Sequence, residues 1–227
     1  MKTLMVTGAT SGLGLEIATL ASKTCKVIAC GRNMDVLVKL QKKHGCSVLQ
    51  GNINDWGTPA PPTINRMAGV IANSNVDVLV ACAGEYQKHS LSEIRDCEIA
   101  GIITTNLVST ILLLRRALAE MLKRKKGTIC VINSLAGKVA SDTYESIYCA
   151  SKFGLRGFVE SVRQDYARAG IRIFSVYPGA MQTPMMFHRG DYGSLPKPRV
   201  VARVIVDLCL KYRDVRLDDV EIRRTTY

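Results

Sequence analysis

The sequence predicts an α/β domain, a doubly wound parallel sheet of about seven strands with helices on both faces. Three observations carry this prediction. Short apolar, strand-like runs alternate with longer helix-patterned segments along the chain. That order builds a parallel sheet covered on both sides. A glycine-rich turn, Thr7-Gly8-Ala9-Thr10-Ser11-Gly12-Leu13-Gly14, follows the first apolar run directly. Residues of special character then recur where strands should end: Gly8, Arg32, Asn52, Gly84, Ser134 and Pro178. Ligands of such sheets bind outside the carboxyl ends of the strands, so the recurrence points to a site and not to packing alone.

Taken in order, Lys2 to Thr7 reads as the first strand, and a helix pattern covers Leu15 to Ala21. A strand, a glycine turn and a helix make the first half of a Rossmann-type nucleotide-binding unit. The glycines let the backbone approach a pyrophosphate, which meets free N–H groups at the helix start. The spacing is Gly8, Gly12, Gly14; Ile17 stands where a Gly-x-Gly-x-x-Gly pattern would need its third glycine. Lys26 to Cys30 is the second strand and Arg32 lies just beyond it. No acidic residue stands there to hold a ribose 2′-hydroxyl, whereas a guanidinium matches a 2′-phosphate in charge and fork geometry. This predicts NADP(H).

A helix over Met34 to Lys43 leads to a third strand, Ser47 to Gln50, followed by Asn52 and Ile53. Pro59, Pro61 and Pro62 break the chain before a helix over Thr63 to Ala72. Val76 to Ala81 is the fourth strand, ending in Cys82-Ala83-Gly84. One long helix is expected from Cys97 to Arg124, then a fifth strand over Thr128 to Ile132. The next helix carries Tyr148 and Lys152 and runs to about Arg168, with Gly170 as its left-handed cap. Ile171 to Val176, a helix over Arg199 to Tyr212, and Leu217 to Arg223 complete the pattern. No linker divides the chain, so residues 1–227 are read as a single domain.

Composition narrows the classes. The chain has 227 residues and a net charge of +12. Its one dense basic run, Lys123-Arg124-Lys125-Lys126, sits where a helix ends, and cations there complement the helix dipole. No aromatic residues interleave with it, which argues against a nucleic-acid partner. The longest uncharged stretch, Ile99 to Leu114, is short of a membrane span and carries several hydroxyls and an amide; a buried helix is expected. Eight scattered cysteines without a Cys-x-x-Cys pair, and a strand pattern starting almost at Met1, predict free thiols in a cytoplasmic, reducing compartment. His44, His89 and His188 show no ligand spacing, so no metal is expected.

Tyr148 and Lys152 lie four apart on a helix and so share one face. An ammonium beside a phenol favours phenolate, which predicts a lowered Tyr148 pKa and a group able to give or take a proton at a carbonyl or alcohol oxygen. Alone, the pair is a weak signal.

In the context of the whole chain, however, the sequence resembles the short-chain dehydrogenase/reductase family in its compact single-domain form. The resemblance runs from about Thr3 to Arg224. Thr7-Gly8-x-x-x-Gly12-x-Gly14 matches the cofactor turn; Asn106, Ser134, Tyr148 and Lys152 match the catalytic set; Pro178-Gly179-Ala180-Met181-Gln182-Thr183 matches the loop at the nicotinamide. Two departures stand out. Ala81-Cys82-Ala83-Gly84 replaces Asn-Asn-Ala-Gly, removing a side-chain bond from the central sheet, and Asn52 replaces an aspartate near the adenine.

The resemblance implies reversible hydride transfer between NADP(H) and a carbonyl/alcohol pair. Tyr148 would be general acid/base, Ser134 would hold the substrate oxygen, Lys152 would tune Tyr148 and hold a ribose, and Asn106 would help position a relay water. It also implies cofactor contacts from Gly8, Thr10, Ser11, Gly12, Leu13, Gly14, Arg32, Asn52, Ile53, Ala83, Gly84, Pro178, Gly179, Met181 and Thr183, and a homodimer or homotetramer. Substrate contacts are expected from Ser134, Leu135, Tyr144, Tyr148 and Met185. Met185 to Pro198 reads as a lid with adaptable methionines and hinge glycines at Gly190 and Gly193. The alternative is a catalytically silent dinucleotide sensor of the same fold. Epimerase or dehydratase chemistry would call for a larger segment after Thr183.

Overall fold

Seven strands form one parallel sheet in the order β3-β2-β1-β4-β5-β6-β7. They are β1 (Thr3–Thr7), β2 (Lys26–Gly31), β3 (Ser47–Gln50), β4 (Val78–Ala81), β5 (Gly127–Ile132), β6 (Ile171–Pro178) and β7 (Asp219–Ile222). This computed structural model describes residues 1–55, 62–140, 143–212 and 214–225. Pro59 and Pro61, expected as chain breakers, lie outside them. Strand order reverses direction between β1 and β4, the place where such sheets open a ligand crevice.

Alternation along the strands divides the core in two. Leu4 and Val6 face a layer with Leu13 and Ile17 of α1 (Gly12–Ala21), Leu37 of α2 (Met34–His44) and Ile205 of α7 (Pro198–Leu210). Met5 faces the other layer, with Met67 of α3 (Pro62–Asn73), Leu113 of α5 (Ser109–Arg124) and Val159 of α6 (Ser146–Asp165). Strands buried on both faces read as continuous apolar runs, which is why their positions are legible in the sequence.

The expected long helix is divided. α4 (Asp96–Ile103) passes through a π-helical turn, Thr104–Val108, before α5 begins. The turn carries Asn106; such turns widen the helix and displace one residue toward a site. The run Asp96–Arg124 is long and apolar enough to cross a membrane by length and composition, with a mean hydropathy of 1.7 over its most apolar 18 residues. Here Ile102, Leu113, Leu114, Ala117 and Met121 are core residues instead.

Several boundaries differ from expectation by one to three residues. α1 begins at Gly12, three residues early, so the glycine turn itself enters the helix. α6 ends at Asp165, not Arg168. Gly170 has φ +74° but precedes β6 and does not cap α6, whose C-cap is Tyr166.

Candidate active site

At the carboxyl ends of the strands lies a cavity of about 490 Å³. Every residue assigned to the cofactor lines it, and so do Ser134, Leu135, Tyr148, Lys152 and Met185. Asn106 and Tyr144 do not. Asn106 is buried behind the wall at 1% exposure. Tyr144, expected in the substrate wall, lies outside the cavity lining: it is 61% exposed, with φ +68°. A non-glycine residue in that region is held by its surroundings; its carbonyl accepts from the His89 amide at 3.0 Å.

The glycine turn is built for close approach. Gly8 has φ +69°, and a Cβ on it would lie 2.9 Å from Ala83 Cα. A Cβ on Gly14 would overlap the Gly8 carbonyl. Ser11, the N-cap of α1, makes no side-chain cap bond, and the first turn contains no acid. The helix therefore presents unpaired N–H groups and its positive end to the cavity, the arrangement that suits a diphosphate. Thr7 closes the gap left by the missing asparagines: its Oγ1 accepts from the Cys82 and Ala83 amides, each at 3.1 Å, joining the ends of β1 and β4.

Arg32 stands at the end of β2 with Nη1 3.3 Å from Glu85 Oε1. The guanidinium is 66% exposed and so is free to swing to an incoming anion. Asn52 Oδ1 accepts from the Asn54 amide at 3.2 Å, a local turn that holds the loop after β3.

At the other end, burial pushes the Tyr148 pKa up to about 12; the neighbouring Ser134 hydroxyl works to lower it, and the Glu145 carboxylate adds to the rise. The expected lowering by Lys152 is absent. Lys152 is itself desolvated, at 5% exposure, and burial brings it down to about 8. Its Nζ donates to the Ile132 carbonyl at 3.3 Å and lies 5.8 Å from the Tyr148 ring centroid.

The Asn106 side chain is committed to partners within the protein. Its Nδ2 donates to the Glu85 carbonyl at 2.9 Å and to Ser151 Oγ at 3.0 Å, and its Oδ1 accepts from the Glu85 amide at 2.8 Å. Both amide hydrogens are used, so the side chain fixes backbone and has none left to give a relay water. Ser151 in turn donates to the Tyr148 carbonyl at 2.7 Å. Asn133 Nδ2 donates to the Lys152 carbonyl at 3.2 Å while its Oδ1 accepts from the Ser134 amide at 2.9 Å. One asparagine thus ties Ser134 to the helix α6 that carries Tyr148 and Lys152.

Sequence reasoning missed several wall residues. Glu145, the N-cap of α6, is 6% exposed and accepts from the Tyr86 hydroxyl at 2.5 Å. Tyr86, Glu85, Met186 and Arg189 line the cavity as well. The only available signal was position: Glu145 stands three residues before Tyr148, and Tyr86 two after Gly84. Cys30 and Cys82 border the same space, but burial pushes both thiols up to about 12, so neither acts as a thiolate there.

Fold and site together define a dinucleotide-binding domain with a tyrosine, a serine and a lysine gathered beside the cofactor cradle. The short chain dehydrogenase profile matches residues 2–191, and the chain belongs to that family of oxidoreductases. It is 36% identical over 187 residues to a Streptomyces violaceoruber protein provisionally named granaticin polyketide synthase ketoacyl reductase 1, covering 80% of this chain and 68% of that one. It is 31% identical over 188 residues to the 3-oxoacyl-(acyl-carrier-protein) reductase FabG of Rickettsia prowazekii, covering 81% and 74%. Among solved structures, actinorhodin polyketide ketoreductase with NADPH superposes with a TM-score of 0.85 at 25% identity, covering 98% and 95%. The protein is therefore an enzyme of carbonyl/alcohol oxidoreduction that binds a nicotinamide dinucleotide.

Proposed function

We propose that the protein is an NADP(H)-dependent reductase acting on the ketone of a partly apolar substrate, with 3-oxoacyl thioesters as the leading class. The observation that carries this reading is the meeting, in one cavity, of the Gly8–Gly14 cradle with Ser134, Tyr148 and Lys152. Gly8, Thr10, Ser11, Gly12, Leu13 and Gly14 would hold the diphosphate. Asn52 and Ile53 would border the adenine, Ala83 and Gly84 its ribose, and Pro178, Gly179, Met181 and Thr183 the nicotinamide end. Arg32 would pair with a 2′-phosphate. When bound, the dinucleotide supplies the hydride.

The chain's own residues supply the proton and hold the substrate. Ser134 would donate to the substrate oxygen and stabilise charge gathering there. Tyr148, held protonated by burial with its pKa pushed up to about 12, would enter the reductive direction as the acid. Its hydroxyl proton would pass to that oxygen as hydride arrives at carbon. Lys152 would place positive charge behind the phenolate left on Tyr148 and keep the ribose in place. Leu135, Met185 and Met186 give the substrate end an apolar, adaptable wall. The names of the ketoacyl reductase relatives and the basic surface, at +12, support a substrate presented on an acidic carrier.

The test is cofactor consumption with NADPH and separately with NADH, against acetoacetyl-N-acetylcysteamine and a panel of ketones and aldehydes. Turnover with NADPH on the thioester or a ketone is expected. Tight NADPH binding with no turnover across the panel would make the protein a dinucleotide sensor instead.

A further inference from the structure

Tyr86 sits between the proton donor and the lid. Its ring meets the Tyr148 ring edge to face, with centroids 5.1 Å apart and planes at 81°. His188, in the segment Met185 to Pro198, stacks on Tyr86 with centroids 5.6 Å apart and planes at 13°. The Tyr86 hydroxyl is fixed by Glu145 Oε1 at 2.5 Å. The loop bearing Tyr86 is fixed at its base, because Asn106 bonds both the amide and the carbonyl of Glu85. It is fixed again further on, where the His89 amide donates to the Tyr144 carbonyl. The lid has its own anchors: Gln182 donates through its amide to the Pro196 carbonyl and through Nε2 to the Gly193 carbonyl, each at 2.9 Å. Between its two ends, His188 is the lid residue seated on the Tyr86 ring.

Aromatic pairs at these separations and angles are favourable contacts that also restrict ring orientation. Tyr148 is thus gripped on two sides. Ser151 holds its backbone from behind, and Tyr86 holds its ring. Any movement of the lid that carries His188 away removes one wall of the Tyr86 slot, leaving Tyr148 less well aimed.

We propose that Tyr86 is a positioning residue that couples the lid to the proton donor: His188 docks on its face, Glu145 anchors its hydroxyl, and its ring aims Tyr148 at the substrate oxygen. The proposal rests on Tyr148 being the proton donor. It gives the lid a role beyond covering substrate, since seating His188 and aligning Tyr148 become one event. A misplacement on the scale of an ångström at a reacting group costs substantial rate.

The test combines steady-state kinetics, NADPH binding and limited proteolysis of the full chain. With acetoacetyl-N-acetylcysteamine as probe, Tyr86→Leu should lower kcat on the order of tenfold while the NADPH Kd holds within about twofold, since the ring stands apart from the cradle. Tyr86→Phe, which keeps the ring and loses only the Glu145 bond, should fall between Tyr86→Leu and the unaltered protein. Trypsin cleavage after Arg189, next to His188, should quicken by about threefold or more in Tyr86→Leu and in His188→Ala, because the local opening is easier. The proteolysis reads the coupling even with a probe that is not turned over. Unaltered kcat or unaltered cleavage in Tyr86→Leu would overturn the proposal. If that variant does not fold, unaltered cleavage in His188→Ala would do so. Loss of turnover in Tyr148→Phe with none in Tyr86→Leu sinks the coupling alone; retained turnover in Tyr148→Phe sinks the underlying reading of the site.

Discussion

Lys152 Nζ lies 5.8 Å from the Tyr148 ring centroid and donates to the Ile132 carbonyl, so lysine and tyrosine share a face without forming a hydrogen-bonded pair. Burial acts on both in opposite directions. It keeps the proton on Tyr148 and weakens the hold of Lys152 on its own, bringing the lysine to about 8.

A pH dependence follows. Below about pH 8 Lys152 is charged and would stabilise a phenolate left on Tyr148 by proton donation; above it, the charge is lost. Reductive kcat/KM should therefore fall as pH rises through about 8. In Lys152→Arg the charge persists, and the falling limb should move to higher pH even if the maximum rate is lower. A pH–rate profile of both proteins checks this.

Stability should move the other way. The folded pKa of Lys152, about 8, is below its ordinary 10.5, so holding the buried ammonium is a cost. The cost is fully present below pH 8, shrinks as pH rises from 8 to 10.5, and vanishes above that. Lys152→Met should stabilise the protein near pH 7 by on the order of 1–3 kcal/mol, with the advantage fading toward pH 10. Thermal melts across pH would show it.

Much of this was legible from the sequence, for specific reasons. Strands buried on both faces are unbroken apolar runs, and the Gly8–Gly14 turn and Tyr148/Lys152 lie close together in the chain, so their geometry follows from local rules. What escaped depends on contacts across the fold. The π turn at Thr104–Val108 leaves no pattern in an apolar helix. Asn106 meets Glu85 and Ser151, and Tyr86 meets Glu145 and His188, only after the sheet brings distant loops together. The electrostatic expectation for Tyr148 failed because helical spacing gives proximity but not desolvation. Tyr144 lies outside the cavity lining, on a left-handed backbone turn before α6 that spacing does not foretell.

Asn106 offers a structural test. Asn106→Ala removes three hydrogen bonds, leaving the Glu85 amide and carbonyl without this partner and Ser151 Oγ with only its bond to the Tyr148 carbonyl. A loss of about 1–3 kcal/mol is expected in chemical denaturation, with reduced kcat. Asn106→Asp should not rescue it, since the donor to Ser151 and the Glu85 carbonyl is gone.

The Arg32–Glu85 pair sets the cofactor contrast. A pair this exposed is worth about 0–1 kcal/mol, so opening it for a 2′-phosphate is cheap. Arg32→Ala should weaken NADPH by roughly tenfold or more while NADH changes little, and Glu85→Gln should tighten NADPH by a few-fold. Fluorescence titration with both dinucleotides decides it; equal losses for both in Arg32→Ala would remove the role given to that residue.

The most direct measurement is single-turnover reduction by Tyr148→Phe with NADPH bound. The phenylalanine keeps the ring against Tyr86 and leaves the cradle untouched while removing the one proton the reaction needs. If Tyr148 is the donor, NADPH affinity stays within about twofold and the chemical step slows by about 10²-fold or more. Reduction at the unaltered rate would contradict the account.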